Sequence, residues 1–287
     1  MKFAPFSPLP MGNTKLDKNP ELRRKYPSIS ALLKDYAPQM YLCREHDIAE
    51  VASSDYFIDE ENMYFLGIAD NKAYIAWDIT RHDIAAEWKN PREFACEKTM
   101  NEMGIIAMAY GLAHWHRHHH FCANCGSASH SFLLGEAREC SNSLCETITY
   151  PRIDPSMITL LTHQFEDGEK ALLIQMHRRP EIYTTISGFM SVGETIEETV
   201  IREIKEETGI IASDLQYIAN QPWPFPQSLM LGYRATAITT DITIEKEELI
   251  NARWFSKEEV RALERSDNLP PPEAISRHLI EQWLHED

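Results

Sequence analysis

Nowhere in these 287 residues is there an apolar run of about 18, the length a helix needs to cross a bilayer, so a helical membrane span is excluded. Positive charge is scarce too: 28 lysines and arginines stand against 44 aspartates and glutamates, a net charge of −16. That balance disfavours tight, nonspecific binding to a phosphate backbone, and any nucleic acid would have to be engaged locally. The opening MKFAPFSPLPMG carries one lysine, several prolines and no sustained apolar stretch. It does not read as a secretory signal, and a cytoplasmic location is expected. No internal repeat or low-complexity segment stands out beyond a histidine cluster at 114–120. What the chain does have is 43% hydrophobic residues, enough for about two domains with real cores.

Residues 188–210 read GFMSVGETIEETVIREIKEETGI. Ile196, Val200 and Ile204 recur at helical spacing, Thr195 and Glu198 make a capping box, and Gly209 can turn left-handed at the C-terminus. On this helix Glu203, Glu206 and Glu207 share one face, and Glu203 and Glu207 lie almost in line with the buried stripe. Burial there is expensive, and the negative end of the helix dipole disfavours each charge by about 0.3–1 kcal/mol. A cation would reverse that sign. Oxygen ligands in this number suit Mg²⁺ or Mn²⁺ rather than zinc, and Mg²⁺ is commonly held by carboxylates together with substrate phosphate oxygens. Gly188 and Gly193 bracket a loop through which backbone can approach such a ligand. A Glu-rich helix can also be a plain solvated face; the spacing of the whole segment weighs against that.

Cys122 and Cys125, then Cys140 and Cys145, form a four-cysteine set. In a reducing compartment disulfides are disfavoured, and four thiolates at about 2.3 Å would close a tetrahedral zinc site with a structural role. Free buried cysteines or a disulfide are the alternatives. Four residues separate the second pair rather than the commoner two, which leaves its knuckle turn open. Cys43 and Cys96 lack such spacing and read as core residues. The run His114-Trp115-His116-Arg117-His118-His119-His120 continues a helical pattern through Met108 and Leu112. Its histidines are read as a solvent face and a cover for the ribbon rather than as a second metal site.

Residues 1–117 are expected to form an α+β domain, with strands at Tyr64–Ile68 and Ala73–Trp77, a long helix near 97–117, and an irregular stretch at 1–20 where prolines crowd. A ribbon at 118–150 and an α/β domain at 151–287 follow. In the latter, Met157–Thr162 and Ala171–Met176 flank a hairpin signal at Glu166-Asp167-Gly168, and Tyr183–Ser187 leads into the acidic helix. Strands at Leu229–Ala237 and Arg253–Phe255 come next, then a helix capped by Ser256 and Glu259 and a last one at about 273–285 after Pro270-Pro271-Pro272. Strands interleaved with helices give an α/β sandwich. Between the acidic helix and these later strands, residues 220–228 read NQPWPFPQS. Three prolines exclude a central strand or a helix, so a stiff loop is expected, offering Trp223 and Phe225 as flat faces and Gln221, Gln227 and Ser228 as hydrogen-bonding groups. A tryptophan between prolines can equally plug a core.

Gly188, Glu194 and the run from Arg202 to Ile210 match every fixed position of the box that names the Nudix hydrolase superfamily, which this chain resembles. The resemblance implies an α/β/α sandwich on a mixed sheet and hydrolysis of a nucleoside diphosphate linked to another moiety. Glu203, Glu206 and Glu207 would hold Mg²⁺ or Mn²⁺, while Glu194 and Arg202 brace the loop; among the three acids, Glu206 is the first choice of base because its helical projection is offset from the other two. The 221–228 segment resembles the SQPWPFPxS signature of the NADH pyrophosphatases, a branch also associated with removing NAD caps from RNA; Asn220 departs from it, standing for serine. The likeness extends over about 115–287, through the cysteine ribbon, Tyr150-Pro151-Arg152-Ile153-Asp154-Pro155 and the triple-proline helix start. It implies Glu248 and the Ser187 carbonyl as further metal ligands. It also implies a dinucleotide site lined by Tyr150, Gln221, Pro222, Trp223, Pro224, Phe225, Pro226, Gln227, Ser228 and Ser276, with Phe189 beside the nicotinamide. The expected reaction converts NAD(H) to AMP and NMN(H), and a homodimer is expected by analogy. Alternatives are another nucleoside diphosphate substrate, such as ADP-ribose, a diadenosine polyphosphate or coenzyme A, and a zinc-ribbon adaptor that binds nucleic acid.

Overall fold

The structure is a computed structural model that describes residues 9–12, 14–51 and 57–286. Of the opening stretch expected to be irregular, residues 1–8 and 13 lie outside the described residues. Residues 10–153 with Trp223–Gln227 form one compact unit, and residues 154–222 with 228–286 form the other. No helix among the described residues is long and apolar enough to cross a membrane.

The first unit begins with two short helices, α1 (Pro20–Lys25) and α2 (Ile29–Leu32). Strands β1 (Ala37–Cys43), β2 (Ile48–Val51), β3 (Met63–Ala69) and β4 (Lys72–Asp78) make a sheet in the order β2-β1-β4-β3, with β1 and β4 parallel. Of these, β1 and β2 were not foreseen. Alternation along β1 divides its side chains between two cores. Tyr41 meets α3 (Pro91–Cys96) and α4 (Met100–His118) through Phe94, Ile105, Ile106 and Ala109, while Met40 and Leu42 meet Ile29, Leu32 and Trp77. A full capping box between Thr99 and Glu102 starts α4.

In the ribbon, β5 (Ser129–Phe132), β6 (Ala137–Cys140) and β7 (Ile148–Thr149) pair antiparallel. One histidine fastens the ribbon to the rest of the unit. His116 is fully buried, its Nε2 2.8 Å from the Gly135 carbonyl and its ring stacked 3.8 Å from that of Tyr64. Arg138 donates to its Nδ1 at 3.1 Å, so the proton sits on Nε2, which donates to Gly135. Burial pushes the His116 pKa down to about 3, which keeps the ring neutral, as this pattern requires. Gly135, at φ +89°, lies so close that a Cβ would come within 2.7 Å of Tyr64. The expectation that part of the histidine run covers the ribbon is met by His116.

The second unit is built on β8 (Asp154–Phe165) and β9 (Gly168–Met176), followed by β10 (Arg179–Thr184), β11 (Ile186–Phe189) and α5 (Ile196–Thr208). The chain continues through β12 (Ala212–Trp223), β13 (Ser228–Ala237), β14 (Leu249–Ser256), α6 (Lys257–Arg265) and α7 (Ile275–His285). The seven strands form one mixed sheet in the order β10-β9-β8-β13-β12, with β11 on β8 and β14 on β9; β13 runs parallel to β8, and the pairings of β8 with β9 and β11 are antiparallel. Successive residues of β8 point to opposite faces. Met157 and Leu161 pack with Val200 and Ile204 of α5, whereas Ile158 and Leu160 pack with Val260 of α6 and Leu279, Ile280 and Trp283 of α7. Helices therefore cover both faces, the sandwich that the sequence led us to expect.

Two expectations need correction. The segment expected as one strand, Tyr183–Ser187, is broken at buried Thr185, because β10 pairs with β9 and β11 crosses to β8. The proline-rich stretch is not wholly loop either: β12 continues through Pro222 to Trp223, and only residues 224–227 turn. As the last strand of the sheet path, β12 has a free edge where a residue without an N–H is tolerated.

Candidate active site and cysteine ribbon

Helix α5 is fixed at both ends. Thr195 and Glu198 exchange both capping-box hydrogen bonds, and Gly209 closes the helix at φ +73°. Arg202 then ties the helix to the loop before it. Its Nε and Nη2 donate to the two carboxylate oxygens of Glu194 at 2.6 and 3.0 Å, Nη2 also to the Phe189 carbonyl at 3.0 Å, and Nη1 to Glu203 at 2.9 Å and Glu206 at 2.8 Å. Glu194 accepts further from the Ser191 N–H and the Thr199 hydroxyl. The Arg202 guanidinium, with these donors, holds the Glu194 pKa down at about 2. Gly188 lets the Glu203 carboxyl lie against the backbone: a Cβ there would run into it, so the carboxylate would have to move.

The acids differ in surroundings. Glu206 is exposed, the Glu203 side chain is 12% exposed, and Glu207 is only 2% exposed. One oxygen of Glu207, Oε2, is buried without a hydrogen-bond partner. Burial first, then the charges of Glu203, Glu248 and Glu206, push the Glu207 pKa up to about 8; burial likewise raises that of Glu203. Glu248 reaches this group because its turn is strapped to the end of α5. The Glu245 N–H donates to the Glu207 carbonyl at 3.0 Å, and the N–H groups of Glu248 and Leu249 return to the Glu245 carbonyl. Ser187 lies on β11 opposite Ile158, next to Gly188, whose carbonyl accepts from the Ser156 hydroxyl at 2.8 Å. An orphaned carboxylate oxygen among like charges is costly as an anion and fits a divalent cation.

The residues expected to bind substrate separate between the two units. In the unit of α5, Phe189 is 60% exposed, Ser276 is buried in the first turn of α7, and Ser228 opens β13 beside Asp154. Gln221 is fully buried, and its carboxamide holds the start of α7, donating to the Glu273 carbonyl at 2.7 Å and accepting from the Ile275 N–H at 2.9 Å. Ala274, at the N-cap, has no side chain for that task, so Gln221 of β12 caps the helix from outside. Pro222 ends this stretch. Tyr150, 57% exposed, and Trp223, Pro224, Phe225, Pro226 and Gln227 belong to the other unit. There Trp223 lies under the Arg92 guanidinium at 4.9 Å, Phe225 packs 5.8 Å from Tyr110, and Pro224 fills the space left by Gly111. Ser156 and Thr199 were missed: Ser156 holds the Gly188 carbonyl from a distant strand, and Thr199 holds Glu194 from the first turn of α5.

In the ribbon, the sulfurs of Cys122, Cys125, Cys140 and Cys145 all lie within 4.8 Å of one another, with no disulfide among them. Cys122 and Cys145 are 3.8 Å apart and Cys125 and Cys140 3.5 Å, close to the roughly 3.8 Å edge of a tetrahedron with bonds of about 2.3 Å. The first pair has its knuckle, with the Gly126 N–H on the Cys122 carbonyl and Gly126 at φ +75°. The longer second spacing still makes one. The Asn142 N–H points to the Cys140 sulfur at 3.4 Å, and the Asn142 carbonyl accepts from Cys145. The Thr147 hydroxyl and the Asn124 amide lower the Cys145 pKa to about 6, favouring the thiolate that a metal takes.

A model described as the NUDIX domain matches residues 159–277. The chain is 38% identical to the human protein named NAD-capped RNA hydrolase NUDT12, in an alignment covering 64% of this chain and 42% of that one, so it spans about two fifths of that relative's length. It is 35% identical to NAD-capped RNA hydrolase NudC of Pseudomonas aeruginosa (strain LESB58), covering 69% of this chain and 67% of that one. To Nudix hydrolase 19, chloroplastic, of Arabidopsis thaliana it is 30% identical over 82% of this chain and 67% of the relative. With two thirds of NudC covered at this identity, and every position of the box in place on its capped helix, the chain belongs to the Nudix family, grouped with the NudC proteins.

Proposed function

We propose that this chain hydrolyses the pyrophosphate of NAD(H), releasing AMP and NMN(H), and that NAD-capped RNA 5′ ends are a further substrate. The observation that carries the reading is the buried, partnerless oxygen of Glu207 amid Glu203, Glu206 and Glu248; the names of the human and Pseudomonas relatives support the substrate. Nudix hydrolases use divalent metals. Here Glu203, Glu206, Glu207 and Glu248, with the Ser187 carbonyl, would hold Mg²⁺ or Mn²⁺, which when bound neutralises phosphate oxygens and lowers the pKa of an attacking water.

The chain's own residues supply position and proton transfer. Arg202 ties the Phe189 carbonyl, Glu194 and the helix acids together, so the loop that faces the pyrophosphate cannot swing away from the carboxylates. Glu206, the most exposed of the three helix acids, accepts the proton of the attacking water. Phe189 offers its ring to the nicotinamide. Gln221 acts by holding the first turn of α7 and with it Ser276. Pro222 and Ser228, and Tyr150 with Trp223–Gln227, keep the substrate role that their motif implies. Zinc in the four-thiolate ribbon is structural, and the active species is a homodimer.

Product identification tests the reading: NADH, NAD⁺ and NAD-capped RNA are each incubated with Mg²⁺ and with Mn²⁺. AMP and NMN(H) from the free dinucleotides are expected, and nicotinamide mononucleotide with 5′-phosphorylated RNA from the capped one. Release of AMP from ADP-ribose or a diadenosine polyphosphate but from none of these three would replace it with another Nudix specificity. Salt-dependent RNA binding without hydrolysis would replace it with an adaptor.

A further inference from the structure

We propose that His114 and His118 form a binding site for one divalent transition-metal ion of the zinc, nickel and cobalt class, separate from the ribbon thiols and from the acids of α5. The two stand one turn apart on α4, with ring centroids 4.2 Å apart and planes inclined by 34°. Imidazoles at i and i+4 are the helical half of many zinc sites. The second nitrogen of His118 is already held: its Nδ1 lies 2.8 Å from the His114 carbonyl. That bond puts the proton on Nδ1 and leaves the Nε2 lone pair as the donor, the arrangement by which metal-ligating histidines are normally oriented.

His114 is half-buried. Both rings line a cleft of about 420 Å³ that His46 and Glu45 also border. Among the described residues the ribbon cysteines are the only set of three or more such ligands already gathered. An ion on this pair would thus complete its shell with water or with His46. Imidazole suits zinc, nickel and cobalt, whereas Mg²⁺ prefers oxygen. Elsewhere in the run both ring nitrogens of His116 are taken, by Gly135 and Arg138, and His119 stacks on Trp115 with centroids 5.0 Å apart.

The test titrates the full-length chain, its ribbon filled with zinc and its acids saturated with Mg²⁺, with Co²⁺, followed by calorimetry and visible absorption. One further equivalent is expected, with ligand-field bands and no thiolate charge-transfer band. His118 is exposed, so His118→Ala should fold; it should weaken that equivalent by at least about tenfold with zinc content and Tm unchanged. His118→Gln should do the same, and His130→Ala should leave binding intact. No additional equivalent, a thiolate charge-transfer band, or an affinity in the His118 variants equal to that of the unsubstituted chain would overturn the proposal.

Discussion

The acids around Glu207 and the thiols of the ribbon are each four side chains that repel one another when ionised, yet only the thiols lie within 4.8 Å of one another, and the two groups are held in opposite ways. The thiols sit in two turns whose own backbone N–H groups and φ-positive residues shape the pocket, and the Asn124 and Thr147 side chains donate to the Cys145 sulfur. The acids are drawn together by one arginine on the near side and left uncompensated on the far side, at Glu207. A closed shell of four like ligands is what a permanent structural ion requires. An incomplete set of oxygens with one orphan is what an exchangeable ion, completed by a substrate's phosphate, requires.

If that contrast is right, Glu207→Gln should have the largest effect, lowering metal-dependent turnover by at least about 10²-fold with the fold and zinc content intact; kcat at saturating Mg²⁺ and circular dichroism check it. Cys145→Ser should do the reverse, losing the ribbon zinc and several kcal/mol of stability, a Tm drop on the order of 10 °C. Zinc analysis with calorimetry reads this, while metal binding by the acids persists. Gly188→Ala comes next: the Glu203 carboxyl must move off the new Cβ, and turnover should fall about tenfold through misplacement without loss of zinc. The smallest effect belongs to Gln221→Ala, which uncaps α7 at a cost of about 1 kcal/mol and should raise KM for NADH more than it lowers kcat.

The acid helix was readable because its signals are local. Cap, stripe and C-terminal glycine lie within a few turns, and the projection that put Glu203 and Glu207 near the buried stripe also set Glu206 apart, as found. The ribbon was readable from cysteine spacing alone. What escaped depends on partners distant in sequence. Gln221 caps a helix more than fifty residues away, β11 leaves the line of β10 because β8 offers it an edge, and β12 tolerates Pro222 only as the last strand of its sheet path. Trp223 and Phe225 were read as ligand faces; both are half-buried, each packing part of its ring on the core around α4, a contact that periodicity does not mark.

The most direct test is the pH dependence of stability in the chain free of Mg²⁺ and Mn²⁺, its ribbon filled with zinc, compared with Glu207→Gln. The folded pKa of Glu207, about 8, lies above its ordinary value of 4.5, so between these limits the folded chain keeps a proton that the unfolded chain has lost. The contribution of this group to stability is then fully present below about pH 4.5 and is lost as pH rises through about 8, by up to about 1.4 kcal/mol per unit. Saturating Mn²⁺ should take the proton's place and restore stability at pH 8, and Glu207→Gln should show neither the slope nor most of that rescue. Identical slopes in the two proteins, or equal stabilisation by Mn²⁺, would contradict the claim that this buried carboxylate awaits a cation.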